Sequence, residues 1–189
     1  MEEMNLDDFL STNPRIKYAC AKQSIIVSQD KPDQLYPDID FFIKLLDSPN
    51  NIIKWTAIRV IGNLSRADRE DKVSFILPRM LDFLRSGKLI TVNNTILALT
   101  EIAKSKPEHS DRIMDELLKI EDFRLETTEC TNIAVGKTLI AFDRLKGLIK
   151  DKRKIIPFIE KQKNNPRNAT RKKALMLSKK IFKLKNMKN

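Results

Sequence analysis

The chain repeats itself about every 39 residues. Ala19, Ala57, Thr95, Val135 and Ala174 line up at steps of 38, 38, 40 and 39, and Ile26, Leu64, Ile102, Phe142 and Ile181 return the same steps. A period of this length accommodates two helices and the turns between them. One such unit cannot bury its apolar face alone, so copies must stack in a row. The period predicts an all-α chain: a right-handed α-solenoid, or α-α superhelix, of about five helix pairs forming one domain over 1–189. The repeats fall at about 1–30, 35–66, 70–105, 109–146 and 150–186.

Helical spacing within each unit supports this reading. Ile39, Phe42, Ile43 and Leu46 predict a helix over 36–46, and Ile53, Ala57, Val60, Ile61 and Leu64 predict its partner over 51–65. Val73, Ile76, Leu77, Met80, Leu81 and Leu84 form a wide apolar stripe over 71–85. Ser86-Gly87 closes that helix, glycine suiting the left-handed position that follows a helix end. Further pairs are predicted at 88–104, 110–120 with 127–145, and 152–162 with 168–185. A short helix near 6–10 and a longer one from Pro14 to about Ser28 make a truncated first unit. Ser110 is placed as a capped helix start. Only four glycines occur in 189 residues, too few for a loop-rich or strand-rich fold.

Cys20 and Cys130 stand far apart and form no CxxC pair, so both are expected as reduced core residues of an intracellular, cytoplasmic protein. The opening MEEMNLDDF is acidic and lacks the apolar run of a secretory signal. Nothing approaches the length of apolar chain that spans a membrane.

The segment from Asp47 to Leu64 resembles the turn and second helix of a HEAT repeat. Asp47 stands in the turn, Ile53-Lys54 opens the helix, and Ala57, Ile61 and Gly62 follow. Pro37, Pro78 and Pro157 are similarly placed to the proline that bends the first helix of that repeat. The resemblance is strongest in the second repeat and weakest in the first and fourth. It implies a curved stack whose second helices line an inner face. It also implies a binding role, since HEAT proteins are mostly protein scaffolds, some bind nucleic acid and a few are enzymes.

Two surfaces are candidates for binding. On the inner face, Lys17, Trp55, Arg59, Asn93, Asn94 and Lys137 project off the apolar stripes of second helices, with Lys17, Trp55, Asn93 and Lys172 at nearly equivalent places. Trp55, the lone tryptophan, either anchors a protein partner or packs on the adjacent repeat. The second surface is electrostatic. The net charge is +11, yet residues 1–50 carry 5 basic against 9 acidic side chains, while residues 151–189 carry 14 against 2. Arg171, Lys172, Lys173, Lys179, Lys180 and Lys183 give the last helix a basic face. That face either grips phosphates, as a non-specific nucleic-acid site would, or simply solvates the end of the stack.

No reaction chemistry is legible. His109 is the sole histidine and has no ligand-spaced cysteine or carboxylate cluster beside it, so no metal and no catalytic site is expected. Gly136-Lys137-Thr138 lacks the earlier glycine of a phosphate loop, Thr131 standing there. The expectation is a non-enzymatic scaffold for a protein partner. It needs no cofactor or small-molecule substrate, and nucleic-acid binding through the last helix is the alternative.

Overall fold

A computed structural model describes residues 5–186, with side chains described through residue 181. Among the described residues every regular element is helical. A 3-10 turn at Leu6–Leu10 leads into α1 (Pro14–Asp30). After it come α2 (Pro32–Leu35), a 3-10 turn at Tyr36–Asp38, α3 (Ile39–Leu45) and α4 (Asn51–Leu64). Next are α5 (Lys72–Asp82), which tightens into 3-10 at Phe83–Arg85, and α6 (Leu89–Ser105). A further 3-10 turn at Pro107–His109 precedes α7 (Ser110–Leu118), α8 (Thr128–Leu145), α9 (Lys152–Gln162) and α10 (Asn168–Asn186).

Local chemistry accounts for most boundaries. Asn13 Oδ1 accepts the Arg15 N–H at 3.0 Å, with Pro14 opening α1. Asn50 Oδ1 accepts the N–H groups of Ile52 and Ile53 at 3.0 and 3.3 Å, capping α4. Gly87 takes φ 73, the left-handed conformation anticipated for it. Ser110 departs from expectation. Its hydroxyl donates back to the Pro107 carbonyl at 2.7 Å and caps nothing, because the preceding 3-10 turn already carries the chain into α7. The single helix expected over 36–46 starts instead as the 3-10 turn at Tyr36–Asp38, with Pro37 in its middle, and is α-helical only over α3. Proline has no N–H, so a continuous α-helical ladder there would lose a bond. Pro78 and Pro157 sit inside α5 and α9, which continue through them.

The principal packing joins the long helices in single file: α1 on α4, α4 on α6, α6 on α8 and α8 on α10. The shorter α3, α5, α7 and α9 each pack against the long helix that follows. The core runs along this file. Ala57, Thr95, Val135 and Ala174, aligned by the repeat, are all at most 1 % exposed. The closest approach is at Gly62, where a Cβ would lie 2.5 Å from the Ala98 Cα.

Side-chain bonds between units also carry the period. Asn63 Nδ2 donates to Ser28 Oγ at 3.0 Å, Trp55 Nε1 to Thr91 Oγ1 at 2.9 Å, and Asn50 Nδ2 to Tyr18 Oη at 3.1 Å. The ion pairs Lys72–Asp40, Arg79–Asp47, Lys154–Asp115 and Arg167–Glu129 each reach back by about one repeat. Each of these links a unit to its neighbour.

The first unit does not follow the register drawn from the sequence. Ala19 is exposed and Ile26 is 43 % exposed, while Ala21 and Ser28 are buried. The step to the second unit is two residues shorter than expected, pairing Ala21 with Ala57 and Ser28 with Leu64. The inward face of α1 is built from small and polar residues. Ser24 and Ser28 bury their hydroxyls by donating to the carbonyls of Cys20 and Ile25, both at 2.9 Å. The apolar pattern therefore points away from the true packing face.

A buried clasp joins the second and third units. The Asp68 side chain is wholly enclosed. It accepts from Tyr36 Oη at 2.7 Å, the backbone N–H groups of Lys72 and Val73 at 3.0 and 2.9 Å, and Lys106 Nζ at 3.0 Å. Tyr36 belongs to the second unit and Lys106 to the loop after the third. Lys106 also reaches Asp71 at 2.7 Å. Burial alone would depress the lysine, but Asp71 and Asp68 outweigh it and hold the ammonium above its usual value.

Candidate functional site

The long helices expose between them a polar groove of about 480 Å³. Gln29 of α1 closes one side. Arg59 and Asn63 come from α4, Arg66 from just beyond its end, Leu97 and Glu101 from α6, and Lys137 and Arg144 from α8. Four cations thus face one carboxylate across four consecutive long helices.

The cations differ in how they are held. Arg66 is committed to the fold, its guanidinium donating to the carbonyls of Gln29, Ser28 and Asn63. It thereby satisfies the C-terminal end of α1, where a positive charge is favoured. Arg144 lies 3.9 Å from Glu101, but that carboxylate is held more closely by Lys104 at 3.0 Å. Arg59 and Lys137 have no carboxylate within ion-pair distance among the described residues. Burial lowers the Arg59 pKa; Glu101 opposes this and Arg144 adds to it. The groove is therefore a place of uncompensated positive charge.

Of the inner-face candidates, the groove brings together Arg59 and Lys137. It adds Arg66, Arg144, Asn63, Glu101, Gln29 and Leu97, which the sequence reading did not select. A signal for two of these was present. Arg59 and Arg66 are seven residues apart, as are Lys137 and Arg144, and the second pair lies two repeats after the first. Residues at i and i+7 share a helix face.

The other inner-face candidates lie elsewhere. Trp55 is half-buried and tied by its ring N–H to Thr91 on α6. Asn94 donates to the Ile90 carbonyl of its own helix at 2.9 Å. Asn93 is half-buried, with its side-chain oxygen enclosed and unpaired. Lys17 is half-buried on α1, and the shortened first step puts Ala19, not Lys17, opposite Trp55's place.

The basic face of α10 is partly spent. Lys180 pairs with Asp143 at 2.5 Å, and Arg171 donates to the carbonyls of Asn165 and Pro166 at 2.8 and 2.9 Å. Lys173 is half-buried against α8, its pKa lowered by burial and then by Arg167 and Lys137. Lys172 and Lys179 stand exposed, and the Lys183 side chain lies outside the described residues.

No protein-family model matches the chain, and no curated protein does. The residues must carry the functional reading by themselves. Among the described residues no group of three or more His, Cys, Asp or Glu side chains converges as a metal site would require. No described helix is long and apolar enough to cross a membrane. His109 Nε2 lies 2.7 Å from Ser74 Oγ, which donates to Asp71 at 2.5 Å. Here serine stands between histidine and carboxylate, whereas nucleophile activation puts histidine in the middle. The serine proton is held by a carboxylate rather than drawn off by a base.

Proposed function

We propose that this chain is a HEAT-like α-solenoid scaffold that binds a protein partner across the face formed by its long helices. The observation that carries the reading is the groove itself, assembled from four consecutive long helices and holding charge the fold does not use. Packing fixes the spacing of these side chains before any partner arrives, so little ordering entropy is lost on binding. Support also comes from the contacts that recur one repeat apart, the pattern expected of stacked units. A role as nucleic-acid binder through α10 has weaker support, because Lys180 and Arg171 are bonded within the fold and Lys173 is half-buried.

The test is photo-crosslinking of the full chain in extract of its source cells. Photoreactive residues would replace Asn94 or Lys137 on the long-helix face, and Phe75 or Lys119 on the short helices. One protein band crosslinked from the first pair, absent from the second pair and competed by unlabelled chain, is the expected result. Crosslinking of nucleic acid instead, or equal labelling from both faces, would overturn the reading.

A further inference from the structure

We infer that the groove bounded by Arg59, Lys137 and Arg144 seats an acidic segment of the partner protein, its carboxylates taking up the charge that the groove leaves unpaired. The inference rests on the scaffold reading and names the chemistry of what that scaffold holds.

Charge balance sets the sign of the occupant. Among the groove's lining residues four are cations and one, Glu101, is an anion already bonded to Lys104. Arg66 is consumed by backbone carbonyls. That leaves Arg59, Lys137 and Arg144 with donors to give. Arg59 is half-buried and feels Glu101 more strongly than it feels Arg144, but that one carboxylate faces three cations and lies in hydrogen-bond contact with Lys104, so the cluster keeps a net positive charge that an anion would complete. Arginine suits carboxylate because its planar fork gives two parallel bonds to the two oxygens.

Spacing and surroundings favour a peptide over a polynucleotide. A phosphate backbone needs a continuous basic track. Here the positive surface is interrupted: Asp143 takes Lys180 and Lys146, Glu129 takes Arg167, and Glu101 takes Lys104. Exposed aromatic faces on which bases would stack are missing from the groove lining, which is Gln29, Asn63 and Leu97 between the charges. The single tryptophan is bound to Thr91 instead. A groove with one leucine and the exposed amide of Gln29 among its charges fits a short extended stretch of Glu or Asp whose own backbone can bond to Gln29.

The experiment is fluorescence anisotropy with a labelled oligoglutamate peptide and the full chain, across a salt series. Binding should fall with salt. Arg59→Gln and Arg144→Gln should each weaken it by roughly ten-fold to a hundred-fold, the usual loss on removing a charged hydrogen-bond partner. Lys172→Gln with Lys179→Gln should leave it within about two-fold, since exposed charges contribute little. Far-UV circular dichroism confirms that each variant is folded. If Arg59→Gln is not, Lys137→Glu reverses a charge on α8 and carries the test. Absence of binding at low salt, or unchanged affinity in the groove variants, would overturn the inference. So would tighter binding of single-stranded DNA of matched charge through the same residues. If oligoglutamate fails while Asn94 still crosslinks a protein, the scaffold stands and the acidic occupant falls. If the crosslink fails as well, both fall.

Discussion

Replacing Gly62 by alanine should destabilise the protein even though alanine is the better helix former. On α4 alone the substitution would gain about 1 kcal/mol in helix propensity. In the fold, the new methyl would lie 2.5 Å from the Ala98 Cα, 2.6 Å from its Cβ and 3.0 Å from its carbonyl oxygen. Carbon atoms prefer to sit at about 3.5 Å or more, so α4 and α6 must separate by about 1 Å. Because the obstacle is backbone, no rotamer change relieves it. A contact this close to backbone falls in the upper part of the range for overpacking, about 2–3 kcal/mol before the propensity gain is set against it. The net expectation is a loss of about 1–2 kcal/mol, or a fall in Tm of about 2–8 °C for a chain of this size. Urea denaturation followed by circular dichroism measures it. Gly147→Ala is the control, since nothing lies within 4 Å of a Cβ there and its φ is not positive; it should be neutral or slightly stabilising. Ala98→Gly in the Gly62→Ala background should recover only part of the loss, because the new methyl still meets the backbone of residue 98. A Gly62→Ala protein as stable as the original would refute the close approach of these helices.

Further outcomes concern the polar contacts between units. Asp68→Ala should cost about 3 kcal/mol in the same denaturation assay, since it takes the acceptor from buried Tyr36, leaves Lys106 with Asp71 alone and uncaps the start of α5. Stability should decline as pH rises above about 10. Burial and Asp68 raise the Tyr36 pKa, and Asp71 and Asp68 raise that of Lys106 despite its burial, so the folded state binds more protons than the unfolded state there. That alkaline decline should flatten in Asp68→Asn. At the acid end, Lys119 and then Arg85 hold Glu116 below its ordinary 4.5. Its contribution is complete above that value and is lost as pH falls through the lowered one, so Glu116→Gln should shallow the acid limb. Trp55→Phe and Thr91→Val should each cost about 1 kcal/mol, and the double variant should cost less than their sum, because both remove one hydrogen bond.

What the sequence disclosed and what it hid follow from what each residue's role depends on. The boundaries of α4, α6, α8 and α9 were readable because their apolar spacing acts within one or two turns of helix. The register of α1 was not. As the terminal long helix it packs on one side through Ala21, Ser24 and Ser28, leaving Ile16 and Ile26 44 % and 43 % exposed. A hydrophobicity pattern reads that face backwards. Arg59 and Lys137 stood out as charges off an apolar stripe, but their meeting with Arg144 and Glu101 depends on two helix interfaces, α4 on α6 and α6 on α8. Asp68 was invisible for the same reason. Its four donors come from the first turn of α5, the Lys106 loop and a distant tyrosine, and no local spacing announces that they converge.

The bonds between units each reach back roughly one repeat, with little cross-bracing over longer stretches of chain among the described residues. Pulled from its C-terminal end, such a molecule should not rupture as a whole. It should yield in instalments, α9 and α10 peeling away first while the groove farther along keeps its shape. Each freed unit could rejoin by closing only a short loop, so recovery after release should be quick. A partner spanning several long helices would then act as a strap, converting this piecemeal yielding into a single, higher threshold.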